Sequence, residues 1–237
     1  MSTVTIDYIG HSGFLAETEE VLMLFDYYQG DLSMLDEKPA GKPLFVFASH
    51  VHGDHFNPQI FDLAKGERNV TYLLSFDIRK SSRMPEVRGL KVSFLDAGKS
   101  YEISGLGTVE TLLSTDEGVA FLVETGSAVI YHAGDLNWWD WEEADPDIKA
   151  LREKRYTDEI KKLAGRRIDI AFAVLDDRLG AGELNGLNRF LSICDPAYVL
   201  PMHFWQDGSV VERFKAQTDD PEKILDTARG DHFELNF

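Results

Sequence analysis

The sequence is poor in cysteine and in long apolar runs. Cys194 is the only cysteine among 237 residues, so no disulfide can form within the chain. A metal site here would therefore use nitrogen and oxygen ligands. No apolar run approaches the ~20 residues that span a bilayer, and the N-terminus lacks the basic and apolar regions of a signal peptide. We expect a cytoplasmic protein without membrane contact.

Basic residues are also scarce. Lys and Arg number 24 against 41 Asp and Glu, which gives a formal net charge of −17. Binding to nucleic acid phosphates needs clustered positive charge, so this balance argues against a nucleic-acid partner. The hydrophobic content of 43% is that of an ordinary globular protein. A small-molecule substrate is the expected partner, and the sequence does not indicate an oligomeric state.

Short β-rich runs fill the first half of the chain, and a β/α series closes it. The predicted strands are 4–9, 14–17, 21–26, 44–49, 70–74, 92–95, 108–114, 119–124, 128–132, 168–175, 197–202 and 233–237. The predicted helices are 57–65, 147–163, 184–193 and 210–216, and the second of these has Ile148, Leu151, Ile160 and Leu163 as its apolar contacts. This order predicts two sheets with helices outside them, in a single domain of residues 1–237.

Residues 49–58 read S-H-V-H-G-D-H-F-N-P and follow the apolar run 43–48. His50 and His52 are two positions apart, so both imidazoles point the same way from an extended strand end. Gly53 permits the turn that follows, and Asp54 and His55 come next. Imidazoles and carboxylates are ligands for divalent metals, and four of them on one loop can serve two adjacent ions.

Two further candidates stand at the ends of later strands. The strand 128–132 runs into Ala-Gly and then Asp135, whose two carboxylate oxygens suit a bridge between two cations. The strand 197–202 ends directly before His203. Each would be weak evidence alone, but both follow the histidine-rich loop in the order that a shared metal centre needs.

These segments resemble the metallo-β-lactamase superfamily of metal-dependent hydrolases. The resemblance rests on H-x-H-x-D-H at 50–55, H-A-G-D at 132–135 and P-M-H-F at 201–204, with G-H-S-G-F at 10–14 and L-F-D at 24–26. It implies an α/β (α+β) fold, a four-layer αββα sandwich with the metal centre at one edge between the sheets. Among branches, the chain looks most like the compact group that includes the ascorbate-6-phosphate lactonases.

The resemblance also implies a ligand set. His50 and His52 would hold a first metal, and Asp135 would bridge it to a second. Asp54, His55 and His203 would hold that second metal. Two divalent ions per chain are expected, with zinc the first expectation and manganese or iron as alternatives.

One histidine of the family pattern is missing. The region 109–118, where a further ligand of the first metal would fall, contains no histidine. Asp116 could substitute for it, which would favour harder ions such as manganese or iron. Alternatively, water fills the position, or the centre holds one metal only. An ordinary turn residue remains an equally good interpretation of Asp116.

Other polar and aromatic residues carry weaker predictions. Trp138, in a cluster with two further tryptophans, could wall a substrate pocket, and core packing is the alternative. Arg178 could bind a substrate carboxylate or phosphate, although an ion pair with the neighbouring aspartates is the better interpretation. His11 could support the site or be satisfied by backbone, and His132 is expected to point away from Asp135.

The resulting hypothesis is a metal-dependent hydrolase of a small-molecule ester, lactone or phosphodiester. A divalent metal lowers the pKa of bound water towards ~7, which supplies hydroxide at neutral pH. Asp54 would orient that water or move its proton, as the catalytic residue. A diiron-type redox protein and a non-catalytic metal-binding module remain as alternatives.

Overall fold

A computed structural model describes residues 2–66, 68–205 and 207–237. Its first sheet has seven strands in the order β13-β1-β2-β3-β4-β5-β6. Strands β3 to β6 run parallel to one another, whereas β13, β1 and β2 pair antiparallel. These strands are β1 (Thr3–Gly10), β2 (Gly13–Glu17), β3 (Leu22–Phe25), β4 (Leu44–Ala48), β5 (Val70–Ser75), β6 (Lys91–Leu95) and β13 (His232–Asn236).

The second sheet has six strands in the order β12-β11-β10-β9-β8-β7. Strands β10, β11 and β12 are parallel, and a hairpin through residues 125–128 joins β9 to β10. The strands are β7 (Ser100–Ile103), β8 (Gly107–Leu113), β9 (Val119–Glu124), β10 (Val129–His132), β11 (Ile170–Val174) and β12 (Tyr198–Met202).

Helices are short apart from one. The α-helices are α1 (Met34–Glu37), α2 (Pro146–Ile160), α3 (Asn185–Leu191) and α4 (Ser209–Lys215). Tight 3-10 segments cover Pro58–Lys65, Phe76–Lys80, Lys161–Leu163, Asp177–Gly182 and Pro221–Lys223. No helix in the described ranges combines the length and apolar character that a membrane crossing requires.

Side chains of the first sheet point alternately to its two faces, and each face packs against a different layer. In β4, Leu44, Val46 and Ala48 pack in a cluster with α1 and the Pro58–Lys65 segment, whereas Phe45 and Phe47 pack in the cluster shared with the second sheet. Because successive side chains of a strand point to opposite faces, a strand that is apolar throughout is buried on both. The first sheet is thus covered by helical segments on one face and by the second sheet on the other.

The second sheet is covered in the same way. Phe172 of β11 stacks on Phe14 of β2 at a centroid distance of 4.0 Å, which joins the two sheets. Tyr131 of β10 stacks instead on Phe190 of α3 at 5.1 Å, so its face carries the outer helix. The predicted four-layer αββα architecture is confirmed.

Three local predictions need correction. Ile148 and Leu151 are 47% and 49% exposed, so they are not packing contacts of α2 as predicted; Ile160 and Leu163 are buried. The predicted helix 57–65 is a 3-10 segment, capped by Asn57, whose side chain accepts a hydrogen bond from the Gln59 backbone N–H. Strand β7 was missed because Ser100–Ile103 is short and alternates between exposed and half-buried positions.

Candidate metal centre

The candidate ligands all lie just beyond the carboxyl ends of strands, at one edge of the sandwich. His50 follows β4, Asp116 follows β8, Asp135 follows β10 and His203 follows β12. His11 follows β1 in the same manner. Parallel strands end at a common edge, so residues distant in sequence meet there.

The first group consists of His50, His52, Asp116 and Asp135. His50 Nε2 lies 3.0 Å from His52 Nδ1 and 3.6 Å from Asp135 Oδ2. His52 Nδ1 lies 3.4 Å from Asp116 Oδ2. Ligand atoms about 2.1 Å from one ion at tetrahedral or octahedral angles are roughly 3.0–3.5 Å apart, which these distances match.

The second group consists of His11, Asp54, His55 and His203. Asp54 Oδ2 lies 3.4 Å from His11 Nε2 and 3.9 Å from His55 Nε2. The group is more deeply placed than the first: the side chains of His55 and His203 are at most 2% exposed, whereas those of His52 and Asp116 are more than 40% exposed.

Asp135 lies between the two groups. Its Oδ1 is 3.2 Å from both His55 Nε2 and His203 Nε2, while its Oδ2 faces His50. Each oxygen therefore faces a different group, which is the geometry that a bridging carboxylate requires.

Four buried atoms at this junction make no well-formed hydrogen bond within the described residues. They are His11 Nε2, His55 Nε2, His203 Nε2 and Asp135 Oδ1. Buried imidazole and carboxylate atoms that converge in this way have the arrangement of ligands around a metal ion. The donor set of imidazoles and carboxylates, without thiolates, fits a divalent metal.

Asp26 orients one histidine of each group. Its Oδ2 accepts a hydrogen bond from His55 Nδ1 at 2.6 Å and another from the Ser49 hydroxyl at 2.6 Å. Ser49 Oγ in turn lies 3.0 Å from His50 Nδ1 and accepts a hydrogen bond from it. Occupying both Nδ1 atoms leaves both Nε2 atoms aimed at the centre.

Asp176 orients His203 in the same way. Its Oδ2 lies 3.1 Å from His203 Nδ1, and both of its oxygens accept hydrogen bonds from Arg178. Arg178 thus forms the ion pair that the sequence favours. Its guanidinium also lies over Trp205 and Trp141, with distances of 5.1 and 5.7 Å to the ring centroids.

Unusual backbone conformations are concentrated at this site. Within the described ranges, the non-glycine residues with positive φ are His11 (55°), Asp26 (42°) and His203 (70°). Such conformations cost of order 1–3 kcal/mol each and persist where the surroundings enforce them. His203 N–H donates to the His11 carbonyl at 3.0 Å, which ties two of these strained turns together.

Two glycines allow the loops to approach closely. A Cβ on Gly118 (φ 68°) would lie 2.0 Å from the Ser49 carbonyl oxygen. A Cβ on Gly134 (φ 51°) would lie 2.6 Å from the Ser49 Cβ. Both glycines press against the residue that precedes His50, so they set the position of the first group.

The close packing of histidines and aspartates at the site shifts their pKa values in the metal-free protein. Burial opposes charge on Asp135, but His55 and His203 hold its pKa well below its usual range. Burial alone would lower the pKa of His203, yet Asp135 and Asp176 raise it to about 9. Burial and then the neighbouring His55 lower the pKa of His50 to about 3.

The carboxylates of Asp54 and Asp116 have pKa values shifted in opposite directions. Burial opposes ionisation of Asp54, but hydrogen bonding to His11 and the charge of His55 lower its pKa, so it is ionised at neutral pH. Burial and the negative charge of Asp135 raise the pKa of Asp116. A cation between Asp116 and Asp135 would remove that repulsion.

A cleft of about 280 Å³ opens over the centre. Its walls combine candidate ligands with aromatic and cationic side chains: His52, Asp54, Thr115, Asp116, Asp135, Trp139, Trp141, Arg152, Arg178 and His203. The tryptophans at the wall are thus Trp139 and Trp141. Trp138, the third tryptophan of the predicted cluster, instead lies beneath the Arg189 guanidinium and is not among the residues that line the cleft.

The structure brings together all six predicted ligands and Asp116. His132 is directed away from the centre: its Nε2 lies 3.0 Å from the Ser12 carbonyl oxygen and its ring stacks on Phe25. His11 is the residue that sequence reasoning left unassigned. The available signal was its position directly after a strand, which it shares with the other candidates.

A known protein family matches this chain. The model of the beta-lactamase superfamily domain matches residues 5–147. The chain belongs to the metallo-β-lactamase superfamily. Among curated superfamily relatives, a UPF0173 metal-dependent hydrolase of Heliobacterium modesticaldum is 25% identical, over 98% of this chain and 97% of that protein. Another from Desulforamulus reducens is 25% identical, over 84% of this chain and 83% of its own length. The finer resemblance to ascorbate-6-phosphate lactonases stays a prediction.

Several solved structures share the fold of this chain. Igni18, a metallo hydrolase of Ignicoccus hospitalis, superposes with a TM-score of 0.71 at 14% identity and covers 99% of both chains. YhfI of Bacillus subtilis gives 0.68 at 16% identity over 99% of this chain and 100% of its own. CmlA, a diiron β-hydroxylase of Streptomyces venezuelae, gives 0.63 at 13% identity over 99% of this chain and 54% of CmlA.

Proposed function

We propose that this protein is a metal-dependent hydrolase that holds two divalent ions and acts on a small molecule with an anionic group. The observation that carries the proposal is the position of Asp135, whose two oxygens face two separate groups of metal ligands. The names of the curated relatives support hydrolysis. Divalent ions at such a site lower the pKa of water and polarise a substrate oxygen.

His50, His52 and Asp116 would hold the first ion, with Asp135 as the bridge. Asp116 lies in the region 109–118, where the family pattern places a histidine, and its Oδ2 is 3.4 Å from His52 Nδ1, which supports substitution by an oxygen ligand. Two carboxylates make this position more suitable for manganese or iron than a histidine-rich one. Asp54, His55 and His203 would hold the second ion, where the imidazoles suit zinc.

Side chains of the cleft would bind and orient the substrate. Arg178 lines the cleft, and Asp176 holds its Nε and Nη2, so the rest of the guanidinium can donate to a substrate carboxylate or phosphate without losing its position. Arg152, which donates to the Trp139 carbonyl, adds a second cation. Trp139 and Trp141 stack with centroids 6.3 Å apart and give the cleft an apolar wall.

Asp54 would handle the proton. It is ionised at neutral pH, lines the cleft, and its Oδ2 faces the second group. From there it orients the attacking water and accepts its proton, and it returns that proton to the leaving oxygen of an ester, lactone or phosphodiester.

Metal analysis and turnover test this function together. Protein purified without added metal should contain near two equivalents of divalent ion and should hydrolyse members of an ester, lactone and phosphodiester panel. His50→Ala should lose one equivalent and at least 100-fold in kcat/KM, because it removes a ligand of the nucleophile-bearing centre. His232→Ala is the control, since that exposed histidine pairs with Asp7 outside both groups. Full activity of His50→Ala would remove the proposed site.

The carboxylates of the first group also favour a second candidate, a diiron redox protein. Oxygen-rich ligation by Asp116 and Asp135 suits iron. Visible absorption from an oxo-bridged iron pair, together with no turnover on the hydrolysis panel, would support this candidate over the hydrolase. A protein that binds metal but shows neither property would be a metal-binding module.

A further inference from the structure

We propose that His11 is a direct ligand of the second metal ion, which makes that position richer in histidine than the predicted set and its ion the more tightly held of the two. This inference rests on the proposed metal centre. It adds a ligand that the sequence motifs did not assign.

The His11 side chain is aimed into the centre. Its Nε2 lies 3.4 Å from Asp54 Oδ2, the spacing of two tetrahedral ligands of one ion. All four ligand atoms of His11, Asp54, His55 and His203 lie within 4.8 Å of one another. The residue is 9% exposed, and its Nε2 is one of the buried atoms that lack a well-formed hydrogen bond.

The backbone holds His11 in this orientation at a cost. Its φ of 55° lies in the left-handed region, which a non-glycine residue adopts only when its surroundings enforce it. Two donors fix its carbonyl: the Tyr8 hydroxyl at 3.2 Å and the His203 N–H at 3.0 Å. The second hydrogen bond joins two residues of the same group, so it fixes the turn at His11 and also holds two candidate ligands next to each other.

Neighbouring aromatic rings pack closely against His11. Its ring centroid lies 4.3 Å from that of His203 and 4.4 Å from that of Trp205. The His55 ring centroid lies 5.4 Å from that of His11. Three imidazoles this close would repel one another if protonated, and a shared cation would turn the repulsion into coordination. A histidine satisfied by the backbone would instead direct a ring nitrogen at a carbonyl or amide, and none is recorded for His11 Nε2 among the described residues.

The two metal positions are therefore expected to differ in their affinity for the ion. The second offers three imidazoles, Asp54 and one oxygen of Asp135, all partly or fully buried. Asp26 orients His55, and Asp176 orients His203. The first offers two imidazoles and two carboxylates, and two of these side chains are more than 40% exposed. Oriented, buried ligands bind metal more tightly than mobile, solvated ones.

Titration of the metal-free protein with Co²⁺ tests the ligand directly. The wild type should bind two ions in succession, with visible bands that change shape between the first and second equivalent. His11→Ala should weaken the first, tighter step by at least about 10-fold and alter its band positions and intensities, because one imidazole leaves the coordination sphere. The second binding step of His11→Ala should have the wild-type affinity. The control His232→Ala should match the wild type in both steps.

Several outcomes would overturn the assignment. A folded His11→Ala protein with wild-type affinities and an unchanged Co²⁺ spectrum would show that His11 is not a ligand. If His11→Ala does not fold, His11→Gln keeps most of the side-chain volume and must show the same spectral change. Wild-type protein that binds no Co²⁺ would remove this inference and the metal centre together. Two bound ions with the His11 effect but no hydrolysis would leave the ligand and reject only the hydrolase.

Discussion

At the scale of single residues, His203 is buried between two carboxylates that raise its pKa to about 9 in the metal-free protein. A histidine whose pKa is raised on folding contributes stability that is fully present below its unfolded pKa of about 6.5 and is lost as the pH rises through about 9. The free energy of unfolding of the metal-free protein should therefore fall between pH 6.5 and 9. Urea unfolding at successive pH values measures it.

Asp176→Asn provides the comparison for this pH dependence. It removes one of the two carboxylates that face His203, so the decline between pH 6.5 and 9 should become shallower. Metal-bound protein should lack the decline, because a coordinated imidazole carries no second proton. A metal-free wild type of constant stability over this range would contradict the charged state of His203.

Asp26 is the residue whose loss should affect both metal positions at once. It binds His55 directly and reaches His50 through Ser49. Asp26→Asn should weaken both binding steps by about 10–100-fold, the usual effect of losing a residue that orients a metal ligand. Competition with a chromophoric chelator measures each step. Asp176→Asn should weaken only the step that includes His203; equal effects of the two variants would contradict the shared role of Asp26.

At the scale of elements, the loops after β4, β8 and β10 fit together through two glycines. Gly118→Ala should destabilise the protein by more than the roughly 1–2 kcal/mol that a left-handed alanine costs, since its Cβ would also overlap the Ser49 carbonyl oxygen. Displacing Ser49 should also weaken binding at the first metal position. Thermal and urea unfolding measure the stability, and metal titration measures the affinity.

Gly98→Ala is a matched control for Gly118→Ala. Gly98 has a φ of 70°, close to the 68° of Gly118, but nothing lies within 4 Å of its added Cβ. It should therefore show the conformational cost alone and leave metal binding unchanged. Equal losses in the two variants would mean that the close approach of the loops contributes nothing.

At the scale of the whole molecule, we propose that residues 1–237 form a single domain, since one apolar cluster includes residues of both sheets and of α2, α3 and α4. Unfolding should then be one transition, and divalent metal should move it to higher temperature. Ligand at 100 times its dissociation constant adds about 2.7 kcal/mol of stability. Calorimetry with and without a chelator measures this, and two separate transitions would contradict the single domain.

Much of the fold could be predicted because its strands are locally encoded. The apolar runs of β3, β4 and β11 are buried on both faces, so short uninterrupted stretches of Leu, Val, Ile and Phe identify them. The misses occurred where burial depends on neighbours distant in sequence. Ile148 and Leu151 have the spacing of contacts, but both side chains are about half exposed, and β7 is an edge strand that pairs with β8.

The sequence by itself determined the chemistry of the site: histidines and aspartates after strand ends, without thiolates, specify a divalent metal centre at one edge of two sheets. Only the tertiary structure places two further candidate ligands, Asp116 and His11, beside that set. Asp116 stands in a loop that reads as an ordinary turn, and His11 follows a strand from the opposite end of the chain. Ligation depends on distances of a few ångströms between segments that lie far apart in sequence, such as those of His11 and His203, and those distances are set by how the two sheets pack.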